Sequence, residues 1–209
     1  VSSSGRATSR FDTSSRRVEL RVSATDRRWL VLVEGPSDRA AVETLARRCG
    51  RDLERERVEI VSIGGAQAIG RVLRHLSPDV RIAGLCDQRE VNAFGRALER
   101  AGQGPAGTRA ELELLGFYVC EPDLEGELIR SLGPSGVEAV LERSGKLSSF
   151  RTFQKQPQWR DRPVEDQLRR FFGSSAGKIR HAPLLVEAID LERVPRPLAA
   201  LLAHVTAHD

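Results

Sequence analysis

The stretch Trp29-Leu30-Val31-Leu32-Val33-Glu34-Gly35-Pro36-Ser37-Asp38 decides the reading of this chain. Five apolar residues in succession read as a strand buried on both faces, the pattern of a parallel sheet. Gly35 permits a tight turn out of that strand, and Ser37 or Asp38 can cap the helix that follows. Ala41, Val42, Leu45 and Ala46 fall on one helical face, which predicts a helix over Ser37–Cys49. Asp38 has the plain alternative of serving only as a cap. Glu34 is harder to dismiss. A carboxylate ending so apolar a strand is costly to desolvate without a partner, and a metal ion supplies one.

The same arrangement recurs downstream. Strand Val58–Ser62 runs into Ile63-Gly64-Gly65-Ala66, where Gly64 and Gly65 let backbone approach a site closely. Taken alone that is an ordinary strand-to-helix turn. Strand Val80–Asp87 carries an acid at its tip, followed by Gln88-Arg89-Glu90. Strand Gly116–Cys120 leads into Glu121-Pro122-Asp123-Leu124-Glu125, three acids within five residues. Helices are expected at Ala66–Leu76, Val91–Ala101 and Arg109–Leu115. Strands alternating with helices imply an α/β fold, a mostly parallel sheet with helices on both faces. In such sheets ligands bind at the carboxyl ends of the strands, which is where these acids collect.

Beyond Cys120 the strands stop. Leu124–Leu132, Pro134–Arg143, Pro163–Phe172, Ile179–Ala188 and Pro197–Val205 read as helices, with a Pro suited to the first turn of three of them. The expected organisation is a basic, disordered Ser/Arg-rich tail at residues 1–27, an α/β domain at 28–132 and a helical extension at 133–209. The tail includes a candidate edge strand at Arg17–Val22. No Met occurs in the chain, so residue 1 reads either as a non-ATG start or as the edge of a trimmed fragment.

The net charge of +4 conceals an uneven distribution. Residues 1–28 hold seven Arg against three acids, residues 151–180 hold eight cations against three acids, and the remainder is net acidic. Cations that bind phosphate beside carboxylates that bind metal suit a nucleic-acid enzyme. Against this, 30 of the 33 cations are Arg, the bias of a GC-rich genome. No apolar run reaches the ~18 residues needed to cross a membrane, and no secretory signal is evident, so a cytoplasmic protein is expected. Cys49, Cys86 and Cys120 lie scattered in apolar surroundings and read as buried thiols.

The strand ending Val33-Glu34-Gly35, the Gly64-Gly65 turn and the strand ending in Asp87 resemble the TOPRIM domain, over roughly Arg28 to Leu132. The likeness is to the OLD (overcoming lysogenization defect) branch, and within it to free-standing actinobacterial proteins. It rests on Asp38 four residues after Glu34, on Asp123-Leu124-Glu125, and on Lys178 ahead of an amphipathic segment. The resemblance implies cleavage of DNA with Mg²⁺ or Mn²⁺, by two ions. Glu34 would be ligand or general base, Asp38 and Asp87 ligands, and Glu125 a ligand of the second ion, with Asp123 and Glu90 as further candidates. Lys178 would stabilise charge on the phosphate. Arg160, Arg162, Arg169 and Arg170 would hold the DNA backbone.

The chain departs from that pattern at Arg89, which stands where a second Asp is usual and cannot bind a cation. It also lacks the ATPase module of OLD proteins. Gly173-Ser174-Ser175-Ala176-Gly177-Lys178 is one residue too short for a P-loop, follows no strand, and has Ile179 where Ser or Thr should stand. This chain is therefore expected to bind no ATP and either to act alone or to borrow a separate ATPase; a homodimer is compatible with its late apolar helices. Of the four His, only His181 lies near a candidate residue. Trp159 reads as a packing residue. Competing readings are a nucleic-acid-binding or partner-docking module with a weakened site and, last, a nucleotidyl transferase.

Overall fold

In the computed structural model, which describes residues 29–77, 79–173 and 178–206 (the first three of the last segment by backbone alone), the decisive stretch forms strand β1, Trp29–Val33, at an interior position of the sheet. Strands β2 (Val58–Ser62), β3 (Arg81–Asp87) and β4 (Phe117–Cys120) complete it in the order β2-β1-β3-β4, all parallel. Val31 lies opposite Ile60 on one side and Ala83 on the other, and Asp87 lies opposite Cys120. Burial of both faces explains why β1 shows no polar alternation: none of its residues is more than 9% exposed. The tail at residues 1–27 and its candidate edge strand lie outside the described residues.

Alternate residues of the strands feed two apolar layers. Leu30, Leu32, Val61, Cys86, Phe117 and Val119 pack beneath helices α2 (Ile69–Arg74), α3 (Val91–Arg100) and α4 (Arg109–Leu114). Val31, Val33, Ile60, Leu85 and Cys120 face the opposite way, under α1 (Pro36–Arg48). That second layer is shared with α5 (Leu124–Arg143), α6 (Leu147–Gln154), α7 (Val164–Gly173), α8 (Lys178–Ala188) and α9 (Arg196–Thr206). The late helices therefore complete the sheet's own core. Arginines at the end of α1 secure them. Arg48 donates to the carbonyls of Val186 and Ile189 at 2.7 and 2.6 Å, and Arg51 to that of Leu202 at 2.6 Å, satisfying groups that helix ends leave open.

Several boundaries differ from the sequence reading for identifiable reasons. Helix α1 begins at Pro36, because proline at the first helical position loses no hydrogen bond. After Gly65 the chain makes a 3₁₀ turn, Ala66–Ala68, before the short α2. Element α5 is broken at Gly133, whose backbone is not helical (φ 68°, ψ 162°), so the two helices expected on either side of that residue are both present and meet there at a kink. Helix α6 was not expected, since Ser148, Ser149 and Thr152 are weak helix formers. Tertiary packing sustains it: Phe150 is fully buried, and Phe153 stacks on Trp159 at 5.4 Å. Cys86 and Cys120 are buried as expected, but Cys49 is exposed, because it closes the outward end of α1.

Gly84 marks the tightest point of the sheet. A Cβ there would stand 2.4 Å from the Leu32 carbonyl oxygen and 2.8 Å from the Phe117 ring. Backbone cannot yield as a flexible side chain can. Gly84→Ala should therefore lower stability by about 2–3 kcal/mol, read as a lower urea midpoint with an unchanged denaturant slope. An unaltered midpoint would show that the strands can part at no cost.

Candidate metal centre

The carboxyl ends of β1 and β3 lie side by side, which brings Glu34 to Asp87. The Asp87 N–H donates to Glu34 Oε1 at 3.0 Å, turning the Glu34 side chain towards β3. The Gly64 and Gly65 N–H groups donate to the Glu34 carbonyl oxygen at 3.1 and 2.9 Å, so the turn after β2 closes on the same residue. Their φ values of +78° and +105° are open to glycine and strained for other residues. Asp38 is both a cap and a neighbour of the site. Its Oδ2 accepts the Gly35 N–H at 2.7 Å, and its charge reaches Asp87.

The acids after β4 come in from the third side. Asp123 caps α5, its Oδ1 accepting the Gly126 N–H at 2.9 Å, while its Oδ2 receives both Nε and Nη2 of Arg169 at 2.7 Å. Gly126 gives the room, since a Cβ there would stand 2.8 Å from Pro122 Cδ. Glu125 is only 8% exposed and Glu127 9%. Glu127 accepts the Glu121 N–H at 2.9 Å and pairs with Arg130 at 2.7 Å, and Glu121 pairs with Arg109. The sequence reading missed Glu127. Its signal was present, an acid one helical turn after the cap residue Asp123, but that spacing also describes a solvated face.

Asp87 registers the sum of this charge. Burial first, and then the carboxylates of Glu34, Asp38, Asp123 and Glu125, push its carboxyl up to about 8. Behind it, burial and then Glu34, Asp87 and Glu90 push the Cys86 thiol up to about 12. Burial, Asp87 and Glu127 raise that of Cys120 as well. Both thiols remain protonated and take no part as nucleophiles.

The other sequence candidates are placed as follows. Glu90 is half-buried at the start of α3 and acts on Cys86, while Arg89 is exposed on the 3₁₀ turn Gln88–Glu90. Lys178 is the first residue of α8, and its side chain lies outside the described residues, as do residues 174–177 of the P-loop-like segment. Arg169 reaches the acids themselves. Arg160, Arg162 and Arg170 are exposed, and Arg160 pairs with Asp161 at 3.2 Å. Trp159 packs, as expected, against Phe153. His181 is buried beside Phe172, ring centroids 5.1 Å apart.

The donor chemistry fits a hard divalent cation. Glu34, Asp38, Asp87 and Glu125 offer only carboxylate oxygens, and Asp87 carries the mark of excess negative charge. Among the described residues no three acidic, His or Cys side chains converge tightly enough to hold an ion as they stand. Binding would therefore draw side chains inward around a fixed backbone frame.

The raised Asp87 carboxyl has a definite consequence for stability. The unfolded chain releases this proton near the ordinary aspartate value of 3.8, while the folded chain keeps it until about 8. Between those values the folded state binds more protons, so stability falls as pH rises. Without metal, stability should decline between pH 4 and 8 by an amount on the order of 5 kcal/mol at this site. Urea unfolding in chelator should show Asp87→Asn flattening that decline. Parallel pH profiles for the parent and Asp87→Asn would contradict the crowding described here.

Comparison with known proteins places this geometry. Residues 28–86 match the family model described as overcoming lysogenization defect protein-like, TOPRIM domain. Among solved structures, the chain is similar to the C-terminal region of the Xanthomonas campestris pv. campestris OLD protein (phased with mercury), with 22% identity and a TM-score of 0.66, covering 88% of this chain and 96% of that one. It is likewise similar to the C-terminal region of the Burkholderia pseudomallei OLD protein, with 17% identity and a TM-score of 0.65, covering 87% and 98%. No curated protein matches the chain. TOPRIM domains generally bind divalent metal ions, in keeping with the carboxylates gathered here. Residues 28–86 thus match the OLD-like TOPRIM domain model, within a chain that has the fold of OLD C-terminal regions.

Proposed function

We propose that this chain is a divalent-metal-dependent DNA endonuclease or nicking enzyme. The observation that carries the proposal is the crowding around Asp87, where burial and the carboxylates of Glu34, Asp38, Asp123 and Glu125 raise the cost of ionising that residue. That cost falls when a cation is shared among them. Two Mg²⁺ or Mn²⁺ ions at such a site would steady the attacking and leaving oxygens of a phosphodiester.

Each residue then has a definite task. Glu34, steered towards β3 by the Asp87 N–H, serves as ligand or as base for the attacking water. Asp87 and Asp38 bind on the same side, and Glu125, nearly buried at the start of α5, serves the second position. Glu90 and Asp123 stand by as further ligands. Lys178, the first residue of α8, would stabilise charge on the scissile phosphate. This role is supported by the packing of α8 on α1 and α5, which folds the extension back against the helix that follows Glu34. Arg169 shows that the extension can send a cation to the acids, and its ion pair with Asp123 would be exchanged for one to phosphate or relaxed by metal. Arg160, Arg162 and Arg170 would hold the DNA backbone. The chain works without its own ATP, alone or beside a separate ATPase, as a monomer or a homodimer.

One observation favours a second reading. Arg89 is an exposed cation at the position where a ligand is usual. A site weakened in this way would bind nucleic acid without cutting it.

Purified protein incubated with supercoiled plasmid separates the two readings. Nicking with Mn²⁺ or Mg²⁺ that is abolished by chelator supports the enzyme, and retention without nicking supports the binding module. Glu34→Gln should lower nicking at least 100-fold, since about 2.7 kcal/mol of transition-state stabilisation is a modest expectation for such a group. It should also weaken Mn²⁺ binding in calorimetry. Arg89→Asp should raise both if position 89 is a lost ligand. If Glu90 has taken over, Glu90→Gln abolishes nicking and Arg89→Asp changes little.

A further inference from the structure

On the face of the sheet away from α7 and α8, helices α2 and α3 enclose a groove of about 470 Å³. Arg71 and Arg74 line it from α2, and Arg96 and Arg100 from α3. All four are exposed, and none makes an ion pair among the described residues. The spacing is regular: three residues on one helix and four on the other, rises of about 4.5 and 6 Å. Small residues line the floor, with Gly70 of α2 beside Ala97 of α3. Glu99, the single acid between Val91 and Ala101, accepts the Ala106 N–H at 3.2 Å instead of pairing with these arginines.

We infer that this groove holds the phosphate backbone of duplex DNA as it leaves the acid edge of the sheet. The inference extends the nuclease reading and rests on it for its direction. Position argues for it. Ala66, which lines one end of the groove, directly follows the Gly64-Gly65 turn whose N–H groups rest on the Glu34 carbonyl. Helix α3 likewise starts four residues after Asp87. Both walls therefore descend from the carboxylates. DNA seated there would meet cations on this side as well as on the side of Arg169, which offsets the repulsion of a polyanion by the acids. Composition selects the ligand. Four guanidinium groups match phosphate oxygens, while the absence of any aromatic from the lining removes the stacking platform that single strands use.

The test compares the parent with Arg71→Ala/Arg74→Ala/Arg96→Ala/Arg100→Ala, full chains in chelator, by fluorescence anisotropy on a short duplex across salt concentrations. The variant should bind at least tenfold more weakly at moderate salt, and the slope of log affinity on log salt should fall by about 3 to 4, near 0.9 for each lost contact. Single-stranded DNA, duplex RNA and inorganic polyphosphate serve as competitors; polyphosphate or single strand displacing the duplex at equal phosphate concentration would overturn the assignment to duplex DNA. Phenylglyoxal modification of the parent, mapped by mass spectrometry, needs no variant and should show these four arginines protected by duplex. Unchanged affinity and slope, or unprotected arginines on bound protein, overturn the groove. A parent that nicks plasmid while the variant binds normally defeats the groove alone, and one that neither nicks nor binds duplex defeats both readings.

Discussion

Repulsion among carboxylates at one edge of a parallel sheet is the constraint that the rest of this molecule answers. Glu34 and Asp87 end neighbouring strands, Asp38 stands one turn into the helix after β1, and Asp123 and Glu125 open the helix after β4. Nothing in a parallel sheet favours such crowding. Holding Asp87 so far above its ordinary range costs a few kcal/mol once it ionises, by the ~1.4 kcal/mol carried by each pKa unit. The core can carry that cost: each fully buried Val or Leu contributes about 1.5–3 kcal/mol, and β1 alone buries Leu30, Val31, Leu32 and Val33 to 2% exposure or less. Apolar strands thus hold in place an edge that would otherwise spread apart.

The helical extension belongs to the same arrangement. Its helices fill one face of the sheet's core, Arg48 and Arg51 of the body close their ends, and Arg169 places a guanidinium on Asp123. A sheet edge bearing only acids repels a polyanion, and an extension bearing only cations offers no ligand to a metal ion. Packed together they make charges of both signs available within one surface. This is why residues distant in sequence, such as Asp123 and Arg169, have to be considered as one unit.

Much of this was legible in the sequence because it depends on local patterns. An unbroken apolar run followed by Glu-Gly is distinctive, and the strand ends at Glu34 and Asp87 follow from it. What escaped was what only packing decides. Helix α6 has poor helix formers and exists because Phe150 and Phe153 find a core to enter. Cys49 was read as a buried thiol, yet it ends a helix at the surface, between Arg48 and Gly50. Glu127 looked like one more charge on a solvated face until the fold buried it. Arg169 read as one of several surface cations, with no signal that its partner lay 46 residues earlier. The four arginines of the α2–α3 groove are spread over 30 positions and become a site only when two helices meet.

The most direct test of the central claim is to locate the ion. Crystals of the protein grown or soaked in Mn²⁺ should give an anomalous difference peak between the carboxylates of Glu34 and Asp87, with metal–oxygen distances of about 2.0–2.5 Å. Asp38 or Glu125 should complete the shell. Saturating Mn²⁺ that leaves this edge of the sheet without a peak, or that gives one only elsewhere, would contradict the account.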